Sequence, residues 1–86
     1  DLIILDVREE KERSAGFIDS DLNIPMGQVK SKLDSLDKSK KILVYCKSGT
    51  RSDRIADLLC KNEFQNVYSL KGGFNAWQKA ELPIKK

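Results

Sequence analysis

The stretch of residues 41–54 constrains the fold more than any other, because it joins an apolar run, a cysteine and a glycine-containing loop. Residues 42–45 are apolar without alternation and include β-branched side chains, which is typical of a parallel strand covered on both faces. Over residues 52–62, apolar side chains recur at helical spacing, and a serine and an aspartate suit the first turn. The stretch therefore predicts a buried strand, a tight loop and a helix, with Cys46 where the strand ends.

Cys46 is a candidate nucleophile. A loop between a strand and a helix can turn its N–H groups inward as an anion-binding nest, and the helix N-terminus adds roughly half a positive charge. Lys47 and Arg51 add cationic charge nearby, and all of these favour the thiolate. The alternative is that Cys46 is a small core residue. That alternative explains less well why Gly49, which can adopt a positive φ, and two cations lie within five positions of it.

Strand and helix patterns alternate along the chain. Strands are predicted at residues 2–7, 22–25, 42–45 and 67–70, and helices at residues 9–15, 28–36, 52–62 and 74–80. Short links between such elements favour an α/β fold with a small parallel β-sheet flanked by helices on both faces. Ligands of these sheets bind beyond the carboxyl ends of the strands. Asp6, Arg8 and Cys46 are all expected at that edge.

Three of these elements carry further expectations. Pro25 indicates an edge strand, since proline cannot donate to a ladder. The charged run of residues 9–15 is interpreted as an ordinary solvent-exposed helix that Gly16 ends. Trp77 lies at helical spacing from Phe74, so we expect it in the core rather than as a ligand-binding aromatic.

Composition limits the possible functions. The 86 residues form one domain, 1–86, with a modest core. The chain has no histidine, which excludes a Cys–His dyad and argues against a metal site, and no cofactor is expected. The net charge of +3 comes from scattered basic residues, which suits a small anionic partner rather than nucleic acid. No stretch is long and apolar enough to span a membrane.

The two cysteines are not expected to form a disulfide. Helical residues separate Cys60 from the loop by a rise of about 13 Å, whereas bridged Cα atoms lie within roughly 7 Å. Cys60 is predicted to be a core residue on the Leu59 side of its helix. Free thiols favour a reducing compartment such as the cytoplasm. A periplasmic or secreted location stays open, because the chain begins without a methionine.

The loop of residues 46–52, Cys-Lys-Ser-Gly-Thr-Arg-Ser, resembles the active-site loop of rhodanese-like domains, the thiosulfate and persulfide sulfurtransferases. Further matching signatures occur in the family's order at residues 5–9 (LDVRE), 16–18 (GFI), 23–25 (NIP), 70–77 (LKGGFNAW) and 82–83 (LP). Each signature is weak by itself, but together they cover essentially the whole chain. The resemblance therefore implies the rhodanese fold and a sulfurtransferase activity.

The resemblance also assigns roles to individual residues. It implies that Cys46 accepts a sulfane sulfur as a persulfide. Five loop residues would cradle that sulfur with their backbone amides: Lys47, Ser48, Gly49, Thr50 and Arg51. Asp6 and Arg8 match residues that lie beside the loop and help to hold it. The implied partners are a small anionic donor such as thiosulfate, and an acceptor that is cyanide, a thiol or a protein thiol.

Two other functions are considered. The chain lacks the helix and strand that usually come first in the family, so it is also consistent with a sulfur-relay or protein-interaction module of a larger protein. The related phosphatase branch has a histidine before the cysteine and an arginine six positions after it. Here those positions are Tyr45 and Ser52. The basic residue comes one position earlier, at Arg51, and this shorter loop favours sulfur transfer over phosphatase chemistry.

Overall fold

The computed structural model describes residues 2–86, which contain a four-stranded parallel sheet. The strands are β1 (Leu2–Asp6), β2 (Leu22–Asn23), β3 (Lys41–Tyr45) and β4 (Val67–Ser69), in the order β2-β1-β3-β4. The α-helices are α1 (Met26–Val29), α2 (Thr50–Lys61) and α3 (Gly73–Lys79), and two 3-10 helices span Glu10–Ala15 and Lys30–Ser35. The predicted α/β fold with a parallel sheet is confirmed, and β2 is the short edge strand expected before Pro25.

The register of the sheet brings the strand ends together. β3 lies centrally and pairs with β1 from Leu2↔Lys41 to Asp6↔Tyr45, and it pairs with β4 from Ile42↔Val67 to Val44↔Ser69. Because every pairing is parallel, the carboxyl ends of the strands share one edge. Cys46 follows β3 directly and so lies at this edge.

Side chains of the central strands alternate between two hydrophobic clusters, one on each face of the sheet. The larger cluster joins Leu5, Val7, Val44 and Cys46 to residues of α1 and α2, including Val29, Ile55 and Leu59. The smaller one joins Tyr45 to Ile18 and Phe74, with Trp77 and Ile84 packed against it. Trp77 therefore contributes to the core, as predicted. Each fully buried aliphatic side chain contributes roughly 1.5–3 kcal/mol through the hydrophobic effect.

The prediction that Cys60 is a core residue is wrong. Cys60 is exposed, whereas Ile55 and Leu59 are buried. Residues four positions apart share a helix face, but adjacent residues are rotated by about 100°. Since Leu59 points into the core, Cys60 is turned away from it. Both cysteines are free thiols.

The helix predicted at residues 28–36 is two short helices. α1 ends at Val29, and the 3-10 helix Lys30–Ser35 continues the chain with a break at Lys32, where φ is −117° and ψ is 18°. Val29 and Leu36 are nevertheless buried, and Leu33 packs against the same cluster, so one face of this segment covers the sheet. No helix within residues 2–86 is long and apolar enough to cross a membrane.

Candidate active site

The sulfur of Cys46 lies in a nest of backbone N–H groups. The residue is 1% exposed and stands between the end of β3 and the start of α2. The Gly49 N–H donates to its Sγ at 3.1 Å, and the Ser52 N–H at 3.4 Å. Gly49 precedes α2 with φ of +109°, a conformation that favours glycine and turns the loop back over the sulfur. The thiol is thus surrounded by donors that suit an anion.

Two opposing effects act on the pKa of the Cys46 thiol. Burial by itself raises the pKa, because it disfavours the charged thiolate. Hydrogen bonds with the N–H and hydroxyl of Ser52, and with the N–H groups of Gly49 and Ser48, outweigh burial and lower the pKa below its ordinary value. A lower pKa means that more of the thiol is present as the nucleophilic thiolate near neutral pH.

Ser52 is a site residue that the sequence analysis did not assign. It is fully buried, and its Oγ lies 3.7 Å from the Sγ of Cys46. That hydroxyl also donates to the Gly49 carbonyl at 3.0 Å and lies 2.8 Å from the Ser69 hydroxyl at the end of β4. The signal in the sequence was a small hydroxyl residue in the first turn of the helix after the cysteine, where such residues hydrogen-bond locally.

The N-terminal end of α3 supports the cysteine loop from the other side. The Phe74 N–H donates to the Cys46 carbonyl at 2.7 Å, and the Asn75 N–H donates to the Lys47 carbonyl at 3.0 Å. Gly73, with φ of +61°, allows this approach: a Cβ there would lie 2.6 Å from the Cys46 carbonyl oxygen and from the Lys47 carbonyl group. The loop is therefore held between two helix N-termini.

The predicted loop residues differ in where they point. Gly49 is buried, whereas Lys47, Ser48 and Thr50 are exposed around the rim. The side chain of Arg51, which adds cationic charge near Cys46, donates to both carboxylate oxygens of a distant glutamate. The cationic side chain of this rim that stays free of ion pairs among the described residues is Lys47.

That distant glutamate is Glu12. The Nη1 and Nη2 atoms of Arg51 lie 2.8 Å and 2.9 Å from its two oxygens, and the Arg51 guanidinium lowers the pKa of Glu12 to about 2. The interpretation of residues 9–15 as an ordinary solvent-exposed face is thus wrong for two of them. Arg13 also turns inward and pairs with Asp6 and Asp21. The helix itself is present as a 3-10 helix, and Gly16 caps it.

Asp6 and Arg8 form a buried pair at the end of β1. The Asp6 carboxylate accepts from the backbone N–H, Nε and Nη2 of Arg8 at 2.9–3.2 Å. Arg8 also donates to the Gly16 carbonyl, and its guanidinium lies over the Phe74 ring at 4.5 Å. Neither side chain hydrogen-bonds to residues 46–51 within the described part of the chain. The pair instead ties the end of β1 to the first residues of α3, which in turn contact the loop.

A cleft of about 200 Å³ opens beside the cysteine loop. It is lined by Arg8, Glu12, Ala15, Lys47, Phe74, Asn75 and Gln78. A larger, shallow concavity of about 720 Å³ lies at the opposite end of the strands, beside Leu2, Lys41 and Asn66, and holds none of the predicted site residues. Residues 2–86 contain no group of three or more acidic or cysteine side chains placed to hold a metal.

The model of the rhodanese-like domain family matches residues 1–80. The chain belongs to this family. Among relatives of this rhodanese-like domain, the protein YqhL of Bacillus subtilis is 39% identical over 74 residues, and the match covers 86% of this chain but 59% of YqhL. The thiosulfate sulfurtransferase GlpE of Coxiella burnetii is 36% identical over 78 residues, which cover 91% of this chain and 73% of GlpE.

A solved structure agrees with the family assignment. The rhodanese-related protein of Thermoplasma volcanium superimposes with a TM-score of 0.93 at 31% identity, and the match covers 98% of this chain and 83% of that protein. The rhodanese fold expected from the loop and its companion signatures is therefore confirmed over nearly the whole chain.

Proposed function

We propose that this rhodanese-like domain is a sulfurtransferase that carries a sulfane sulfur on Cys46, with thiosulfate as a donor. The observation that carries the proposal is the nest around Cys46, in which Gly49 and Ser52 donate N–H hydrogen bonds to a buried sulfur. The similarity to the GlpE thiosulfate sulfurtransferase supports the choice of donor. The proposal keeps Lys47, Ser48, Gly49, Thr50 and Arg51 as donor-binding residues, and Asp6 and Arg8 as supporting ones.

The first half-reaction loads the cysteine. The Cys46 thiolate attacks the outer sulfur of thiosulfate, a new S–S bond forms, and the S–S bond of thiosulfate breaks with its electron pair leaving on sulfite. The total negative charge is unchanged, since a persulfide anion and a sulfite dianion replace a thiolate and a thiosulfate dianion. No proton moves in this step, which suits a chain without histidine.

The second half-reaction removes the sulfane sulfur from Cys46. A nucleophilic acceptor, either cyanide or a thiolate, takes the outer sulfur and returns the Cys46 thiolate. The N–H groups of the nest stabilise negative sulfur in both states, so the loop acts by electrostatic preorganisation. Such alternation gives ping-pong kinetics. A reducing compartment such as the cytoplasm would keep the thiol available between cycles.

The test is thiocyanate formation from thiosulfate and cyanide, with intact mass measured after thiosulfate alone. We expect Cys46→Ser to abolish both turnover and the gain of one sulfur atom. Cys60→Ser is the matched control, because it removes the other cysteine, an exposed thiol near the C-terminal end of α2, and it should leave both unchanged. A second acceptor arm replaces cyanide with a reduced protein thiol, which tests the relay role. Sulfur loading that survives Cys46→Ser would contradict the proposal.

A further inference from the structure

The ion pair between Glu12 and Arg51 joins two elements that are remote in sequence. Glu12 belongs to the 3-10 helix after β1, and Arg51 to the first turn of α2, 39 positions later. Both N–H···O contacts are short, at 2.8 Å and 2.9 Å, and the side chains are 25% and 30% exposed. Bidentate arginine–carboxylate pairs of this kind have a fixed geometry. The charge of Arg51 is thus compensated where it borders the cysteine loop.

Lys47 lies in the same neighbourhood but is not compensated. It follows Cys46 directly and lines the cleft beside the loop together with Glu12. Among residues 2–86, Lys47 has no acidic oxygen within salt-bridge distance. The three groups that border the loop, Lys47, Arg51 and Glu12, therefore sum to one positive charge rather than two. An anionic donor that approaches Cys46 meets this reduced charge.

We propose that Glu12 is a positioning residue that sets the charge preference of the site, lowering its selectivity for dianionic over monoanionic sulfur donors by compensating Arg51. This inference rests on the proposed sulfurtransferase function. It predicts that kcat/KM for thiosulfate and kcat/KM for monoanionic donors, such as organic thiosulfonates, differ less than they would at a site with two free cations.

The size of the effect follows from simple electrostatics. At the same separation, an extra unit charge attracts a dianion twice as strongly as a monoanion. At a partly exposed position, where water and salt screen the interaction, the difference corresponds to roughly a three- to eightfold change in selectivity. A change in selectivity of this size is measurable by steady-state kinetics, and it does not require a change in the reaction mechanism.

The experiment compares thiosulfate with methanethiosulfonate. In both reactions the Cys46 thiolate takes the outer sulfur, and the S–S bond of the donor breaks with its electron pair leaving on sulfite or on methanesulfinate. We expect Glu12→Gln to raise kcat/KM for thiosulfate relative to methanethiosulfonate by about three- to eightfold. The change should lie in KM, since Glu12 does not touch the sulfur.

Three controls separate this role from a structural one. Glu10→Gln removes the same charge from an exposed position on the same 3-10 helix and should leave the ratio unchanged. Glu12→Asp keeps the carboxylate and should keep the ratio near that of the wild type. Arg51→Gln alone should lower the ratio, because it leaves no net positive charge among the three groups, and adding Glu12→Gln should return the ratio to near the wild-type value. A shift of equal size with Glu10→Gln, or a ratio that Arg51→Gln leaves unchanged, would overturn the inference.

A binding arm keeps this result distinct from the sulfurtransferase proposal. Sulfate and methanesulfonate carry two and one negative charges and transfer no sulfur, so their protection of Cys46 from alkylation reports charge preference alone. We expect Glu12→Gln to strengthen protection by sulfate more than by methanesulfonate. Suppose that the wild type takes sulfur from both donors, but that Glu12→Gln changes neither the kcat/KM ratio nor the ratio of protection by the two anions. The inference about Glu12 is then wrong, and the sulfurtransferase proposal stands. If the wild type takes sulfur from neither donor, the sulfurtransferase proposal is wrong, and so is the inference about Glu12 that rests on it.

Discussion

Replacing Gly73 with alanine should damage the cysteine loop from a position outside it. A Cβ on Gly73 would lie 2.6 Å from the carbonyl oxygens of Cys46 and Lys47 and from the carbonyl carbon of Lys47. These are backbone atoms, so no side chain can rotate away to make room. The loop or the start of α3 has to move, and the hydrogen bonds that join them are the contacts at risk.

The cost can be worked from these contacts. An alanine at the φ of +61° that Gly73 adopts costs about 1–2 kcal/mol in a left-handed conformation. Loss of the two hydrogen bonds from Phe74 and Asn75 to the loop carbonyls adds about 0.5–1.5 kcal/mol each. The expected loss in the free energy of unfolding is therefore about 2–5 kcal/mol. For a domain of this size that corresponds to a fall in Tm of at least about 8 °C.

Urea denaturation and the rate of Cys46 alkylation measure the two consequences. Gly73→Ala should lower the midpoint of unfolding and slow alkylation near neutral pH, because a displaced loop lowers the thiol pKa less. Gly27→Ala is the matched control: a Cβ there meets nothing within 4 Å, so alanine should be neutral or stabilise α1 by up to about 1 kcal/mol.

A second comparison separates the clash from the backbone conformation. At Gly49 the nearest atom to an added Cβ is the Gly72 nitrogen at 3.5 Å, so alanine there costs about 1–2 kcal/mol for its positive φ and no clash. Gly73→Ala should therefore be the more destabilising of the two. A Gly73→Ala protein within about 1 kcal/mol of the wild type, with unchanged Cys46 reactivity, would refute the view that α3 fixes the loop.

Two further predictions concern charge. In a Cys60→Ser background, the pH at which alkylation of Cys46 is half-maximal should be lower in the folded protein than in urea, since the folded pKa is lowered; an equal or higher midpoint contradicts the nest. Asp6→Asn should lower the free energy of unfolding by about 3–5 kcal/mol, because it leaves the buried Arg8 without its partner. Asp57→Asn, which breaks an exposed pair with Lys61, should cost less than about 0.5 kcal/mol; comparable losses in urea melts would count against the burial argument.

Local sequence was sufficient to predict the sheet and the place of Cys46 at its edge. Residues 42–45 are apolar on both sides of the pleat, which only a covered strand accommodates, and the structure places them in β3. The conformation of the loop that follows is also determined locally, because a glycine before the start of a helix fixes the direction of the backbone amides. The parallel arrangement then requires Asp6 and Cys46 to share an edge.

Long-range charge pairing was beyond local sequence. Glu12 and Arg51 are 39 positions apart, and nothing in the run of residues 9–15 distinguishes a carboxylate that faces solvent from one that bonds to another helix. From local sequence alone, Arg51 counts as a free cation beside Cys46. Only the packing of the 3-10 helix against the start of α2 decides the pairing.

The error at Cys60 has a different origin. Leu59 and Cys60 are both residue types that favour burial, so composition placed them together in the core. Helical geometry separates them, because four-residue spacing from Ile55 selects Leu59 and leaves its neighbour outside. Strict use of the helical period would have given the correct answer from the sequence.

The support that α3 gives to the cysteine loop has a consequence for biosynthesis. Cys46 and Lys47 are translated well before Phe74 and Asn75, yet their carbonyl groups accept hydrogen bonds from those later residues. When the nascent chain has been translated only as far as β4, Cys46 is present, but the hydrogen bonds from Phe74 and Asn75 to its loop are not. The contacts that hold the cysteine loop are therefore complete only after α3 has been translated, and the alkylation rate of Cys46 serves as a chemical reporter of that step.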